Sequence, residues 1–498
     1  PFTQKVNIGD DPIRNTIMGF DVKYQDNLPW LTKGLDRLPF YATKEMSTID
    51  AYGEVAYLKP GHSRAINNQN KEGQVYVDDF EGTSNGYGLK TPPISWKLAS
   101  APRNATDKSG KVLFPEASRI NDTTYGYNRA KMAWYRIDNS FFNTTAPDIV
   151  KNNPDSLQNH YVRLVPTVEV FPNKPVQTLD QNLYTFDLSY FPKERGPYNY
   201  EWSNNPTPGV SAGINNDGSL KSPNTRWGGI MRSIDNNDLE ATNVEFIEFW
   251  MLDPFLYNTT SQGGKLYFNL GNISEDILRD SRMSFENGIT VDGSAMDSTT
   301  WGRVPRLPPL VDAFNIDENE RVIQDVGYDE MNDDLERQRK SAFLNKVQPN
   351  VTQAAFDKLN SDPSSDDYKY FRDENIYGSV ASVITRYKDF CGTEGNSPVQ
   401  SGNSVQTNAQ TNLPEKEDLN KDNSLNENEE YFQYEIDLKP GMDVGNNPYI
   451  VSKVEGTGTD NNGVQNRWLQ FRIPIRQYTS RVGSIPDFKS IQFLRMFL

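Results

Sequence analysis

The chain is poor in the residues on which most compact chemistries depend. It has one cysteine, Cys391, and two histidines, His62 and His160, in 498 residues. A single cysteine excludes an internal disulfide, and with it a disulfide-stapled secreted domain or a paired-cysteine metal or redox motif. Two histidines leave little room for His-dependent catalysis. No apolar run is long enough to span a bilayer as a helix, and no signal peptide opens the chain. The sequence therefore reads either as a section of a longer chain or as one whose targeting segment has gone. Hydrophobic residues reach only 36%, and the net charge of −16, from 51 basic and 67 acidic residues, disfavours nucleic acid and anionic membrane surfaces as partners. That balance is compatible with cation binding. What the chain has in quantity is aromatic surface, with 25 Tyr, 25 Phe and 8 Trp. Disordered chains lack such a load, and aromatics without many aliphatics favour strands.

Residues 1–60 differ from the rest. In residues 16–25, Met18, Phe20, Val22 and Tyr24 alternate with Gly19, Asp21, Lys23 and Gln25. In residues 47–57, Ile49, Ala51, Val55 and Tyr57 alternate with Thr48, Asp50, Tyr52 and Glu54. Both runs have the length and one-sided polarity of outer-membrane barrel strands; ordinary half-buried strands have the same pattern. Two strands cannot close a barrel, because free edges would leave backbone groups unpaired in lipid. If they cross a membrane, the rest of the wall lies elsewhere.

From Val75 onward, short strands alternate with Asn-, Gly-, Pro- and Ser-rich loops. Tyr184, Phe186, Leu188 and Tyr190 share one face, as do Leu266, Phe268 and Leu270. Residues 244–252 (VEFIEFWML) read as a central strand, and residues 431–498 supply closing strands. The expected fold is mainly β: a jelly-roll-like sandwich begun by residues 75–285, interrupted by a helix-and-loop insertion over 286–430, and closed by 431–498. A second small sandwich is the alternative. Helices are expected over 329–347 and 352–360, and a mobile polar loop over 392–412.

The sharpest local pattern is Asp418, Asn420, Asp422, Ser424, Asn426 and Glu429. These oxygen side chains follow the spacing of an EF-hand-like loop that wraps Ca²⁺, with the Ser424 position donating its backbone carbonyl. Asn423 stands where that loop has Gly, and Asn tolerates the left-handed conformation needed there. A structural calcium clip and a solvated acidic loop are both open. Asp78, Asp79 and Glu81 pose the same choice between a calcium-holding first strand and a capped strand end. Gly209, Ser211 and Gly213 match a nucleophile-elbow spacing, but Pro206 and Pro208 stand where its strand belongs. With no phosphate loop, zinc spacing or dinucleotide fingerprint, no enzymatic activity is expected. Trp202, Trp227, Trp250 and Trp301 are either core residues or a glycan-stacking platform. The tripeptides starting at Asp122, Asp155 and Asp297 resemble a short O-glycosylation signal.

Longer strings occur in order along almost the whole chain: GEVAYLKPGH (53–62), YVDDFEG (76–82), SWKL (95–98), KMAWYRID (131–138) and YFPKERGPYN (190–199). RWGGIMR (226–232), VEFIEFWMLDP (244–254), LYFNLGNISEDI (266–277), WGRVP (301–305), RYK (386–388), EGNSP (394–398), EDLN (417–420) and FLRMFL (493–498) follow. Together they resemble the SprA/Sov family of Bacteroidota, the outer-membrane translocon of the type IX secretion system used in gliding motility. The resemblance implies a very large barrel that passes folded cargo with C-terminal signals to the cell surface. Implied partners are a PorV-type barrel protein, a periplasmic plug, the cargo itself and the membrane through the barrel. The family is several times longer than this chain, which is then one internal section, exposed at the cell surface or inside the pore. The alternative is a surface glycan-binding jelly-roll module.

Overall fold

The structure, a computed structural model, describes residues 15–40, 45–59, 86–143, 157–174, 181–286, 295–307, 313–315, 317–378, 381–397, 411 and 413–498. The chain divides into two compact units, residues 1–85 and 86–498. It is mainly β, built of antiparallel sheets, with no closed barrel among the described residues. Among the described residues no helix is long and apolar enough to cross a membrane.

In the first unit, β1 (Thr16–Asn27) and β2 (Thr48–Lys59) form an antiparallel hairpin bridged by the short helix Pro29–Leu35. The register sets Met18 opposite Tyr57, Phe20 opposite Val55, Val22 opposite Gly53 and Tyr24 opposite Ala51. Because side chains alternate with period two, the apolar sets of both strands fall on one face. Every residue of both strands is exposed. This unit has no buried core among its described residues.

The second unit contains β3 (Lys97–Leu98), β4 (Ala130–Tyr135), β5 (Asp187–Arg195), β6 (Gly229–Ser233), β7 (Phe246–Leu252), β8 (Gly264–Asn272), β9 (Met296–Ser298) and β10 (Arg303–Pro305). After the insertion come β11 (Glu430–Leu438), β12 (Ile450–Thr459), β13 (Gln465–Pro474), β14 (Ser480–Val482) and β15 (Phe493–Phe497). A six-stranded sheet has the order β14-β11-β8-β15-β6-β3, and a three-stranded sheet the order β12-β13-β7. Leu266, Phe268 and Leu270 of β8 and Phe432, Tyr434 and Ile436 of β11 share one core with Leu469, Phe471 and Ile473 of β13. Two facing antiparallel sheets around one apolar layer are the sandwich in its general form.

The large sheet is buried on both sides. Tyr267, Tyr431, Phe493 and Phe497 point the other way, into a second core with Trp227, Trp301 and Tyr328. Residues of the 286–430 stretch therefore cover the sheet's far face. Residues 244–252 form an edge strand, not a central one: β7 pairs only with β13. Its apolar character comes from being covered on the outer side too, where Trp250 meets Phe171 at 5.9 Å and joins a cluster around Val165, Val170 and Trp468. The strand expected from Tyr184 begins only at Asp187.

The expected helix over 329–347 is two helices, Asp333–Arg339 and Ser341–Val347, separated at Lys340. Thr352 caps Gln353–Ser361, its Oγ1 accepting from Ala355 N. The helix Glu318–Gln324 was not legible in advance. Of the polar loop over 392–412, residues 398–410 and 412 lie outside the described residues. Its beginning is not a free loop, because Thr393, Asn396 and Ser397 are buried.

Candidate functional site

The interior of the second unit contains a group of carboxylates. Asn332 caps the helix Asp333–Arg339 by accepting from Leu335 N at 3.1 Å. The helix then places Asp333 and Glu336, three residues apart, on one side. Asp329 precedes it in a turn against β10, with Arg303 N donating to Asp329 O at 2.9 Å. Gly302 makes that approach possible, since a Cβ there would lie 2.0 Å from Asp329 O.

The turn Asp362-Pro-Ser-Ser-Asp-Asp367 supplies three more carboxylates. Asp362 Oδ1 accepts from Asp366 N at 3.1 Å, and Ser365 takes a left-handed φ of 59°. Glu394 is fixed beside this turn by two backbone bonds, Glu394 N to Asp366 O at 3.0 Å and Tyr368 N to Glu394 O at 2.7 Å. Gly392 is again required, because a Cβ there would meet the Asp367 carbonyl at 2.1 Å. The outcome is seven carboxylates in three overlapping groups: Asp329, Glu336 and Asp366; Asp333, Asp367 and Glu394; Asp333, Glu336 and Asp362. Within each group, one oxygen per residue lies within 4.8 Å of the others.

Asp329, Glu336 and Asp366 are fully buried, each 0% exposed. Burial first, then the charge of their neighbours, holds Glu336, Asp366, Asp367 and Glu394 above the usual carboxylate range. Burial raises Asp333 to about 6. Ser364 offers the cluster two donors, its N–H to Glu336 Oε2 at 3.0 Å and its Oγ to Asp329 Oδ2 at 2.9 Å. The nearby Lys340 ammonium is spent on the carbonyls of Thr300 and Trp301.

The loop predicted to wrap calcium is only partly assembled. Asp418, Asn420, Asp422 and Ser424 share one turn. Asp418 Oδ1 accepts from Asp422 N at 3.0 Å, Asn420 Nδ2 donates to Asp422 Oδ2 at 2.8 Å, and Ser424 Oγ donates to Asp422 Oδ1 at 2.6 Å. Asn423 has the left-handed φ of 61° that the position needs. Asn426 turns away, its Nδ2 donating to Ile273 O at 3.0 Å. Glu429 is engaged elsewhere: both carboxylate oxygens accept from the Arg495 guanidinium at 2.9 Å, with both residues buried. The spacing thus places four oxygen side chains together and loses the twelfth-position carboxylate to a buried ion pair 66 residues along the chain.

Other predicted positions have ordinary partners. Ser211 donates to Glu201, which is itself paired with Arg226 at 2.7 Å in full burial, and Gly213 is pressed against Ser203 O and Asn205 O. His160 Nε2 lies 2.7 Å from Val464 O, and its Nδ1 accepts from Arg163 Nε. Cys391 Sγ donates to Trp134 O at 2.9 Å, and burial pushes the thiol up to about 12. Trp227 and Trp301 are core residues and Trp202 and Trp250 half-buried. Asp122 caps a helical turn and Asp297 pairs with Arg306; His62, Asp78, Asp79, Glu81 and Asp155 lie outside the described residues.

Residues 342–498 match the family SprA_N, described as motility related/secretion protein. This segment, about a third of the chain, is similar to that family. No curated protein matches it. The SprA_N segment contains Asp362, Asp366, Asp367 and Glu394, the whole Asp418 turn and the five closing strands, while Asp329, Asp333 and Glu336 precede it. The matched segment indicates a motility- or secretion-related protein. The carboxylate group was missed from sequence because its members are dispersed over residues 329–394. The only local signals were the Asp-rich turn at 362–367 and the Asp333/Glu336 spacing on a helix.

Proposed function

We propose that this chain is a section of an outer-membrane protein translocon of the SprA family, the β1–β2 hairpin being two wall strands of a large barrel. Residues 86–498 then form a folded, jelly-roll-like module of the pore. The observation that carries the reading is the hairpin face on which Met18, Phe20, Val22 and Tyr24 stand opposite Tyr57, Val55, Gly53 and Ala51. Phe20, Val55 and Tyr57 are 67%, 64% and 58% exposed, on strands of 12 residues each. A soluble protein covers such a band with a core, whereas lipid covers it in a barrel wall whose strands need about 9–11 residues. The match to a secretion-related family supports the same reading.

In this reading folded cargo with C-terminal signals passes the module, whose acidic surface resists sticking. A PorV-type barrel protein and a periplasmic plug are the partners, and the outer membrane is the location. The test is export of type IX cargo from cells whose gene lacks residues 86–498 but keeps the hairpin. Loss of cargo from the medium is expected; undiminished export counts against the proposal.

A further inference from the structure

We infer that the second unit holds calcium in the carboxylate group formed by Asp329, Asp333, Glu336, Asp362, Asp366, Asp367 and Glu394. This centre is distinct from the Asp418 turn and shares no residue with it. Acidic clusters alone are common on solvated surfaces, but Asp329, Glu336 and Asp366 of this one are fully buried, and not all of its oxygens are used up. Glu336 Oε1 and Asp366 Oδ1 are buried without a hydrogen-bond partner among the described residues, on side chains that are 0% exposed. Asp333 Oδ1 and Glu394 Oε2 also lack a partner among the described residues, on side chains that are half-buried. A buried carboxylate oxygen without a partner is costly. Glu336 and Asp366, fully buried and in one group of converging ligand atoms, call for a shared positive centre, and Asp333 and Glu394 share a neighbouring group.

Among the described residues protein cations supply it only in part, the Lys340 ammonium offsetting some of the charge on Asp329. Arg337 reaches Asp333 only at 3.9 Å while bonding Asp334, and Lys369 stands 4.0 Å from Asp367. Lys340 is held by two carbonyls and sits 4.3 Å over the Tyr200 ring. The geometry fits an ion instead. Two oxygens bound to one Ca²⁺ at ~2.4 Å each lie no more than ~4.8 Å apart, a limit that the ligand atoms of each of the three groups stay within.

Ligand chemistry selects the ion. All seven donors are carboxylates, which suit hard cations and disfavour zinc or copper, whose sites draw on His and Cys. Mg²⁺ prefers to keep its waters and uses one or two carboxylates, whereas Ca²⁺ accepts six to eight oxygens in irregular geometry. Sharing of Asp333 and Glu336 between groups gives room for an inner ion on Asp329, Glu336 and Asp366 and an outer one on Asp333, Asp367 and Glu394. Either ion would tie the helix Asp333–Arg339 to the 362–367 turn, the inner one adding Asp329 and the outer one Glu394.

The test uses the purified chain freed of metal with a chelator and titrated with CaCl₂ by calorimetry, with MgCl₂ as comparison. Tb³⁺ emission excited through tyrosine gives a second readout, since the Tyr200 hydroxyl lies 2.8 Å from Ser364 Oγ beside the cluster. Expected are saturable calcium binding, sensitised Tb³⁺ emission that Ca²⁺ displaces, and retention of both in Asp422→Asn, which alters the other turn. The double variant Glu336→Gln/Asp366→Asn should weaken calcium at least about tenfold. Should it fail to fold, the half-buried pair Asp333→Asn/Asp362→Asn takes its place with the same expected direction. Absence of binding to the unaltered chain, tighter binding of Mg²⁺ than of Ca²⁺, or loss of binding on Asp422→Asn alone would each overturn the assignment.

Discussion

In the β1–β2 hairpin the apolar side chains are outside, with Ile17 and Phe20 at 75% and 67% exposure. In residues 86–498 charged side chains are inside: Arg226, Arg495, Glu201, Glu336 and Asp366 are buried. A hairpin's backbone is satisfied by its partner strand wherever it sits, so its side chains are free to suit the surroundings. A packed interior imposes the reverse condition, since each charge there must find a counter-charge or lose it. Arg495 illustrates this. Its guanidinium is shared between Glu429, Asn269 Oδ1 at 2.9 Å and Ser100.

The contrast can be broken most forcefully at that pair. Arg495→Met strands Glu429 in the interior, and removing one partner of a buried ion pair costs roughly 3–5 kcal/mol. Urea unfolding followed by circular dichroism should show a loss of that order, and an unchanged midpoint would mean that the pair is not buried. The hairpin should behave oppositely. Phe20→Lys leaves urea stability in water unchanged. In a barrel wall near the bilayer midplane it costs ~2–4 kcal/mol, read as less full-length protein assembled in the outer-membrane fraction. Equal assembly would remove lipid from that face.

A third comparison concerns pH. Glu116 is fully buried, with Asn128 Nδ2 donating to Oε1 at 2.8 Å and no partner on Oε2. Burial raises its pKa from 4.5 to about 7. Between those values the folded state keeps a proton that the unfolded chain has released, so stability falls as pH rises through the window. At about 1.4 kcal/mol per pKa unit the penalty above pH 7 is on the order of 3–4 kcal/mol. Glu116→Gln should therefore gain stability over the unaltered chain at pH 8 and almost none at pH 4. A gain independent of pH would assign the effect to packing.

Much of this was legible along the chain because its causes are local. Alternation placed β1 and β2 within two residues of their observed ends, and β8 by its apolar face. The helix expected from 352 starts there, capped by Thr352, whereas the one expected from 329 starts only after Asn332. Residues 244–252 misled for a tertiary reason, since a strand covered on both faces reads as central even when one edge is unpaired. The Asp418 turn was visible as a spacing, and its six-residue set could not survive once β15 brought Arg495 to Glu429.

By itself the sequence determined the strand alternation, the helix start at Thr352, the acidic balance and the strings that resemble the SprA family. These depend on side-chain period, short-range hydrogen bonds and composition, all of which are written in neighbouring residues. Only the tertiary structure decided which carboxylates face one another, which of them Arg495 neutralises, and which are left with unpaired oxygens. Electrostatic partnership depends on distance through space and on the exclusion of water. For Asp329 and Glu394, both are set only when the whole unit closes around them.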